Sequence, residues 1–207
     1  MAGAWLRDAQ TDLATETILD GAARAFVELG VSQAGMLEIA KYAGCSRGTL
    51  YRYFKNRHEL HLAFVEHRAM RVAAELRVEL KDIGDPHERI VETIMRAVER
   101  VRATPEMAAW FEPDESGMTA RMSRGSEVIR HLCDSFVSES FLRRPDAENK
   151  HGLRARFLVR MIISLLTMPA RDADEERLMV ECFVAPAILA DDRHGAALGD
   201  GFERAFE

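Results

Sequence analysis

The sequence predicts an all-α protein of about nine helices. Apolar residues recur at intervals of three and four, and no segment shows the strict alternation that is typical of a half-buried strand. Most of the prolines lie at the predicted ends of helices or in predicted loops and not inside helices. None occurs before Pro86, and Pro86, Pro105 and Pro169 stand where a helix would begin or end.

Local signals place the individual helices in order. The helical spacing is clearest in three groups of apolar residues: Ile18, Ala22, Phe26 and Leu29; Ile90, Ile94 and Val98; Val128, Leu132 and Phe136. Asp85-Pro86-x-Glu88 has the composition of a helix start, with Asp85 as N-cap, and Thr104-Pro105-Glu106 repeats it. We expect loops around 113–117 and at Pro145.

Composition predicts a cytoplasmic protein. The 207 residues are 47% apolar and 30% charged, which is an ordinary balance for a soluble globular chain. The longest apolar run, 157–168, is interrupted by Arg160 and is shorter than the ~20 residues of a membrane span. Charges at Arg7, Asp8 and Asp12 argue against a signal peptide. The three cysteines are widely spaced without a CxxC pair, as in a reducing compartment.

One segment carries a concentrated positive charge. Residues 41–58 contain five lysines and arginines and no carboxylate: Lys41, Arg47, Arg52, Lys55 and Arg57. Without these five charges, the net charge of −6 would be −11. A helix that stops at Gly44 is followed by Ser46, which can cap a second helix, so the segment is a candidate helix-turn-helix.

The predicted second helix has two distinct faces. Leu50 and Phe54 are four residues apart and should point into the core. Gly48 and Arg52 point the other way, flanked by Thr49 and Tyr51. This outward face suits a DNA major groove, because glycine admits the backbone, hydroxyls bond phosphate and arginine bonds base edges. Asn56 and Glu59 have capping-box spacing at the start of the next helix.

Residues 18–64 resemble the N-terminal DNA-binding domain of the tetracycline-repressor (TetR) family, on the signature IAKYAGCSRGTLYRYFKNRHEL. The resemblance implies a DNA-binding domain at 10–58 and a helical ligand-binding and dimerisation domain at 59–207. It further implies a transcriptional regulator, released from a palindromic double-stranded DNA operator by a ligand and acting as a homodimer. Two alternatives are a family member that organises chromosomes through a partner protein, and a purely structural helical dimer.

The resemblance assigns roles to individual residues. Thr49, Tyr53 and Lys55 correspond to phosphate contacts, and Tyr51 to a contact at the groove edge. Arg47 and Arg52 fall at variable positions that face the groove, so we expect them to read bases beside Gly48. One departure concerns Ala34-Gly35, where the family has a capping Thr or Ser that also touches phosphate. We therefore expect that contact to be missing.

The chain after the helix-turn-helix contains candidates for a ligand cavity. Flexible thioethers and aromatic rings suit a small apolar or partly apolar effector, and we select Met95, Trp110, Phe111, Met118 and Met122. The same residues would equally suit a plain core. A short helix at 105–111 and the loop at 112–117 have the composition of a mobile gate. Glu92, Arg96, Glu99 and Arg121 are the candidates for a polar anchor, with no basis for choosing among them.

The two apolar segments near the end of the chain, 157–168 and 178–189, predict a homodimer interface, because a surface helix would keep a polar stripe. A single central core helix is the alternative. The proposed interface residues are Leu158, Ile162, Leu165, Leu166, Met179 and Phe183.

Enzyme signatures have the wrong spacing. His58-Glu59-Leu60-His61 continues with Leu62, so it lacks the second zinc-binding histidine of a metalloprotease helix. Only Glu148 and His151 match the Glu-x-x-His pattern, of which a di-iron bundle needs two. We therefore expect no catalytic residues, no metal and no cofactor.

Overall fold

The structure is a computed structural model that describes residues 2–113, 126–140 and 151–190, with side chains from 12–113, 126–136 and 152–190. Within these ranges all regular structure is helical, as predicted. The helices are α1 (Ala2–Leu29), α2 (Met36–Tyr42), α3 (Arg47–Tyr53), α4 (Arg57–Leu80), α5 (Pro86–Ala103), α6 (Pro105–Ala108), α7 (Glu127–Ser140), α8 (His151–Thr167), α9 (Ala173–Met179) and α10 (Ala185–Leu189).

Two irregular turns complete this order. A 3₁₀ turn, Ala109–Phe111, follows α6, and a π-helical turn, Val180–Val184, joins α9 to α10 without a break. Counting that joined segment once, the described ranges contain nine helices, in agreement with the expected number.

Side-chain caps start the helices where the sequence predicts them. Ser46 Oγ accepts from the amide of Thr49 at 3.0 Å, and Asp85 Oδ2 accepts from that of Glu88 at 2.8 Å. Thr104 differs from expectation, because its hydroxyl donates to Arg100 O at 2.8 Å instead of capping α6.

The capping box before α4 forms one residue out of register. Asn56 Oδ1 accepts from the amide of Glu59 at 2.9 Å, as expected. The Glu59 carboxylate accepts in return from the amide of Lys55 at 3.0 Å, one residue before the N-cap. Both hydrogen bonds lie within five residues, so the start of α4 is set by local chemistry.

Helices α1 to α4 share the first hydrophobic core. Its fully buried residues include Leu19, Phe26, Ile39, Leu50 and Phe64, and Phe54 is buried beside them. Both residues predicted to face inward from α3 therefore do so. Gly21 brings α1 against the turn before α3: a Cβ added there would lie 2.5 Å from Ala43 Cα.

A second core lies among α5, α8 and the α9–α10 segment, and a third joins α4, α5 and α7. The second contains Ile94, Val98, Leu158, Val180 and Ile188. The third contains Ala73, Leu76, Leu80, Ala97 and Phe136. Helix α4 thus contributes to the N-terminal core through Leu60 and Phe64 and to the third core through Leu76. The predicted domain boundary at 58/59 falls in its first turn.

Candidate nucleic-acid interface and ligand cavity

Helix α3 is held by a tight turn and a polar cap. Gly44 has φ +66°, a left-handed conformation that residues with a side chain rarely adopt, so it ends α2 sharply. Ser46 then caps α3, and its hydroxyl also lies 2.9 Å from Thr49 Oγ1. The two short helices of the helix-turn-helix are therefore oriented by local contacts and by the packing of Gly21 on Ala43.

The seven residues proposed for DNA contact lie together on and just after α3. Arg47, Gly48, Tyr51, Arg52 and Lys55 are exposed, whereas Thr49 and Tyr53 are half-buried. Two guanidinium groups rest on tyrosine rings: Cζ of Arg47 lies 5.3 Å from the centre of the Tyr51 ring, and Arg52 has the same distance to Tyr53. This surface can bring cations and hydroxyls to a polyanion.

Arg57 differs from the other cations of the basic segment. It is half-buried, donates to the carbonyls of Val31 and Ser32, and donates from Nε to His61 Nε2 at 3.3 Å. It therefore ties the start of α4 to the α1–α2 loop. Charge counting groups Arg57 with the other four cations of the basic segment and cannot show this inward orientation.

The N-terminus of α2 has no side-chain cap, as expected from Gly35. The space beside Gly35 is taken by Glu38, because a Cβ added to the glycine would lie 2.8 Å from Glu38 Oε2. A carboxylate at this helix end complements the helix dipole but repels phosphate.

Trp110 lies where the N-terminal core meets the rest of the chain. Its ring packs edge-on against Phe26 and His61, with centroids 5.3 and 5.1 Å away, and is stacked on Phe64 at 5.9 Å. Burial, assisted by the charges of Arg57 and His58, lowers the pKa of His61 to about 3. The neutral imidazole can therefore accept from Arg57 inside the core.

A cavity of about 170 Å³ lies between α4, α5, the 3₁₀ turn, α7 and α8. Of the predicted ligand residues, Trp110 and Phe111 line it, whereas Met95 packs on the second core and is not in its wall. Met118 and Met122 lie outside the described residues. Helices α4 and α7, which were not predicted to line the cavity, contribute the apolar side chains of Phe64, Leu76, Leu132 and Phe136. The apolar spacing of α7 was the available signal.

In the part of the cavity wall that the structure describes, the charged residue is Arg68, which was not among the predicted anchors. Glu92 instead pairs with Arg177 at 2.5 Å and with Arg96 at 2.8 Å, and these cations hold the pKa of its carboxyl below the ordinary value. Glu99 is exposed, and Arg121 lies outside the described residues. The position of Arg68, four residues after Phe64 and four before Val72, was the signal that it shares their apolar face.

The residues proposed for the dimer interface divide into two groups. Leu158, Leu165 and Leu166 are buried in the second core of the same chain, and Ile162 lines the cavity. These four therefore stabilise the protomer, because helix α8 turns this face toward α5. Phe183 and Met179 remain 72% and 46% exposed on the other side of the terminal helices.

No described helix combines the length and apolar content of a membrane span. Residues 18–64 match the sequence profile of the bacterial regulatory proteins of the tetR family. The chain is 41% identical, over 189 residues, to an uncharacterised HTH-type transcriptional regulator of Mycobacterium tuberculosis, covering 91% of this chain and 92% of that protein.

Solved structures show the same fold. The TetR family repressor AlkX of Dietzia sp. superposes with a TM-score of 0.64 at 24% identity, over 84% of this chain and 94% of AlkX. FadR of Bacillus subtilis, solved in complex with stearoyl-CoA, gives 0.56 at 15% identity, over 84% of this chain and 97% of FadR. The chain has the helix-turn-helix and the all-helical fold, and its mycobacterial relative is 41% identical to it over 91% of this chain's length. This chain therefore belongs to the TetR family of bacterial transcriptional regulators.

Proposed function

We propose that this protein is a ligand-released repressor that binds a palindromic operator as a homodimer. The observation that carries the proposal is the exposed basic face of α3 in an otherwise acidic chain. Arg47, Arg52 and Lys55 are exposed there, and the net charge of the whole chain is −6. The net negative charge of the protein repels DNA at a distance. The basic face of α3 can therefore favour binding only through close contacts with the phosphates and bases.

The residues of this face divide into positioning and reading groups. Thr49, Tyr53 and Lys55 hold phosphates and set the register of α3, whereas Arg47 and Arg52 bond base edges in the major groove. Gly48 supports the close approach, because it is exposed and has no side chain between the helix backbone and the groove. Each arginine rests on a tyrosine ring, and this cation–π contact partly orders the arginine side chain before DNA is bound.

The exposed apolar side chains of the terminal helices support the dimer. Phe183 and Met179 are one helical turn apart. Leu153 of α8 is 58% exposed, and Met168, directly after α8, is 70% exposed. Exposed apolar residues of this size favour an interface. A second copy packed there would present two α3 helices, which must be ~34–36 Å apart to read adjacent major grooves.

The apolar cavity supports regulation by a small apolar effector. Its wall joins α4, which enters the DNA-binding core, to α5, α7 and α8. A ligand that binds one arrangement of these helices better than another shifts the population toward it by that difference in affinity. FadR of B. subtilis was solved with stearoyl-CoA, and a curated relative of this chain at 23% identity is named a fatty acid metabolism regulator. Both support an effector with an apolar body.

Genome-wide mapping of bound DNA tests the function. We expect enrichment of a palindromic sequence near a small number of promoters, and loss of that enrichment in the Arg52→Ala variant. Arg71→Ala is the matched control, since Arg71 is an exposed arginine on α4 outside the basic face. Absence of any sequence-specific enrichment by the wild type would refute the proposal. Unchanged enrichment by both single variants, Arg52→Ala and Arg47→Ala, would also refute it.

A further inference from the structure

Arg68 places a buried positive charge in an otherwise apolar cavity. Its side chain is 9% exposed, and its guanidinium carbon lies 5.4 Å from the centre of the Phe64 ring. Among the described residues that line the cavity, all except Arg68, Thr93 and Cys133 are apolar. The Thr93 hydroxyl already donates to Arg89 O at 2.7 Å. In a pocket of this kind a few polar groups set ligand orientation and specificity, so Arg68 is the natural anchor.

Arg68 also connects the cavity to the DNA-binding helices. Its Nη2 lies 3.1 Å from Asp20 Oδ1 on α1 and 3.4 Å from Glu106 Oε1 on α6. Its Nε is buried and makes no hydrogen bond to any described group. One guanidinium thus faces two carboxylates through a single nitrogen while another of its donors is unused. A buried donor without a partner is costly, so this arrangement has hydrogen-bonding capacity left for a ligand.

We propose that Arg68 anchors the effector, and that the effector is an apolar carboxylic acid whose carboxylate replaces Asp20 on the guanidinium. This inference rests on the proposed function, since it names the ligand class and the first step of release.

Electrostatics explains why replacement is favoured over addition. The two carboxylates already exceed the single positive charge, so a third would be repelled. Asp20 is the carboxylate that leaves at lower cost, because its side chain is 59% exposed and regains water, whereas that of Glu106 is 23% exposed. A ligand carboxylate can then pair with two guanidinium N–H groups, the strongest arrangement for this charge pair.

The size of the cavity limits the apolar part of the ligand. Its volume is about 170 Å³. An engineered apolar cavity of ~150 Å³ binds benzene, so the space here suits roughly six to eight carbons. The ligand class is therefore a medium-chain or single-ring acid.

Displacement of Asp20 would act close to the DNA-reading helix. Asp20 immediately precedes Gly21, whose backbone is so close to Ala43 that an added Cβ would lie 2.5 Å from Ala43 Cα. Ala43 and Gly44 form the turn that orients α3. Loss of the Arg68–Asp20 ion pair therefore removes one link between α1 and α4 next to the point where α1 supports the helix-turn-helix, while Phe26 still packs on Phe64.

The test measures binding of two probes with the same chain length, octanoate and 1-octanol, at pH 7.5. Trp110 lies in the cavity wall, so its fluorescence in a Trp5→Phe background reports occupancy. We expect wild-type protein to bind octanoate at least ten-fold more tightly than 1-octanol. Arg68→Met should abolish this preference. Asp20→Asn should tighten octanoate binding several-fold without affecting 1-octanol, and Asp12→Asn, an exposed acid on the same helix, should change neither.

Equal affinities of the wild type for the two probes, or an Asp20→Asn variant with unchanged octanoate affinity, would overturn the proposal. If Arg68→Met does not fold, Arg68→Lys and Asp20→Asn decide the question. Arg68→Lys keeps the positive charge in the cavity wall, and Asp20→Asn alters an exposed side chain, so both variants should fold. Operator binding separates the two hypotheses. A protein that binds its operator but neither probe refutes the acid ligand and leaves the regulator intact. A protein that binds octanoate but no specific DNA refutes the proposed function.

Discussion

Protonation of His61 should destabilise this protein at mildly acidic pH. The imidazole is 2% exposed, lies between the rings of Phe26 and Trp110, and accepts from Arg57 Nε in its neutral form. Its pKa is lowered to about 3, mainly by burial. In the unfolded chain the imidazole returns to a pKa of about 6.5. The stabilising contribution is therefore fully present above that value and is lost as the pH falls toward 3.

The size of the effect follows from these two pKa values. At pH 5 the unfolded state holds nearly one more proton than the folded state, which corresponds to a loss of about 2 kcal/mol relative to pH 7.5. A small domain has a total stability of ~5–15 kcal/mol, so the loss is readily measured. His61→Gln removes the titration and retains an amide oxygen that can accept from Arg57.

The assay is urea unfolding at pH 7.5 and pH 5.0, followed by the fluorescence of Trp110 in a Trp5→Phe background. We expect the free energy of unfolding of the reference protein to fall by about 2 kcal/mol more than that of His61→Gln. His131→Gln is the control, because His131 is exposed on α7 and does not contribute to the lowered pKa of His61. Parallel losses in the reference protein and in His61→Gln would show that His61 is not the group responsible.

Three further predictions address DNA reading, the support of α3 and assembly. Lys55→Ala should lower the slope of log affinity against log salt by about one unit while weakening all DNA sequences alike, and a changed consensus would contradict the phosphate role. Gly21→Ala should lower the free energy of unfolding by ~1–3 kcal/mol and weaken operator binding, because the new Cβ would lie 2.5 Å from Ala43 Cα. Thermal denaturation measures the loss, with Gly152→Ala as the control because Gly152 has open space around it. Phe183→Glu should sediment as a folded monomer, since this side chain is 72% exposed and outside the core; a stable dimer would place the interface elsewhere.

Local signals allowed the helices and the exposed face of α3 to be predicted from the sequence. Ser46, Asn56 and Asp85 cap the helices that follow them, and each does so through an amide three residues ahead. The positions of Leu50 and Phe54 follow in the same way from helical spacing. These features depend on residues that are neighbours in the chain, so the sequence itself contains the information.

Contacts between distant segments decided the rest. Arg68 meets Asp20 across 48 residues, and Arg57 reaches Val31 across 26. Periodicity showed that the α8 segment is apolar on every side, but it could not show that Leu158 and Leu165 face α5 within the same chain. Helical spacing determines which residues share a face, whereas the partner of that face depends on how the helices pack. For this reason the sequence alone determined the helix-turn-helix and the exposed face of α3, and only the tertiary structure showed the cavity and Arg68 in its wall.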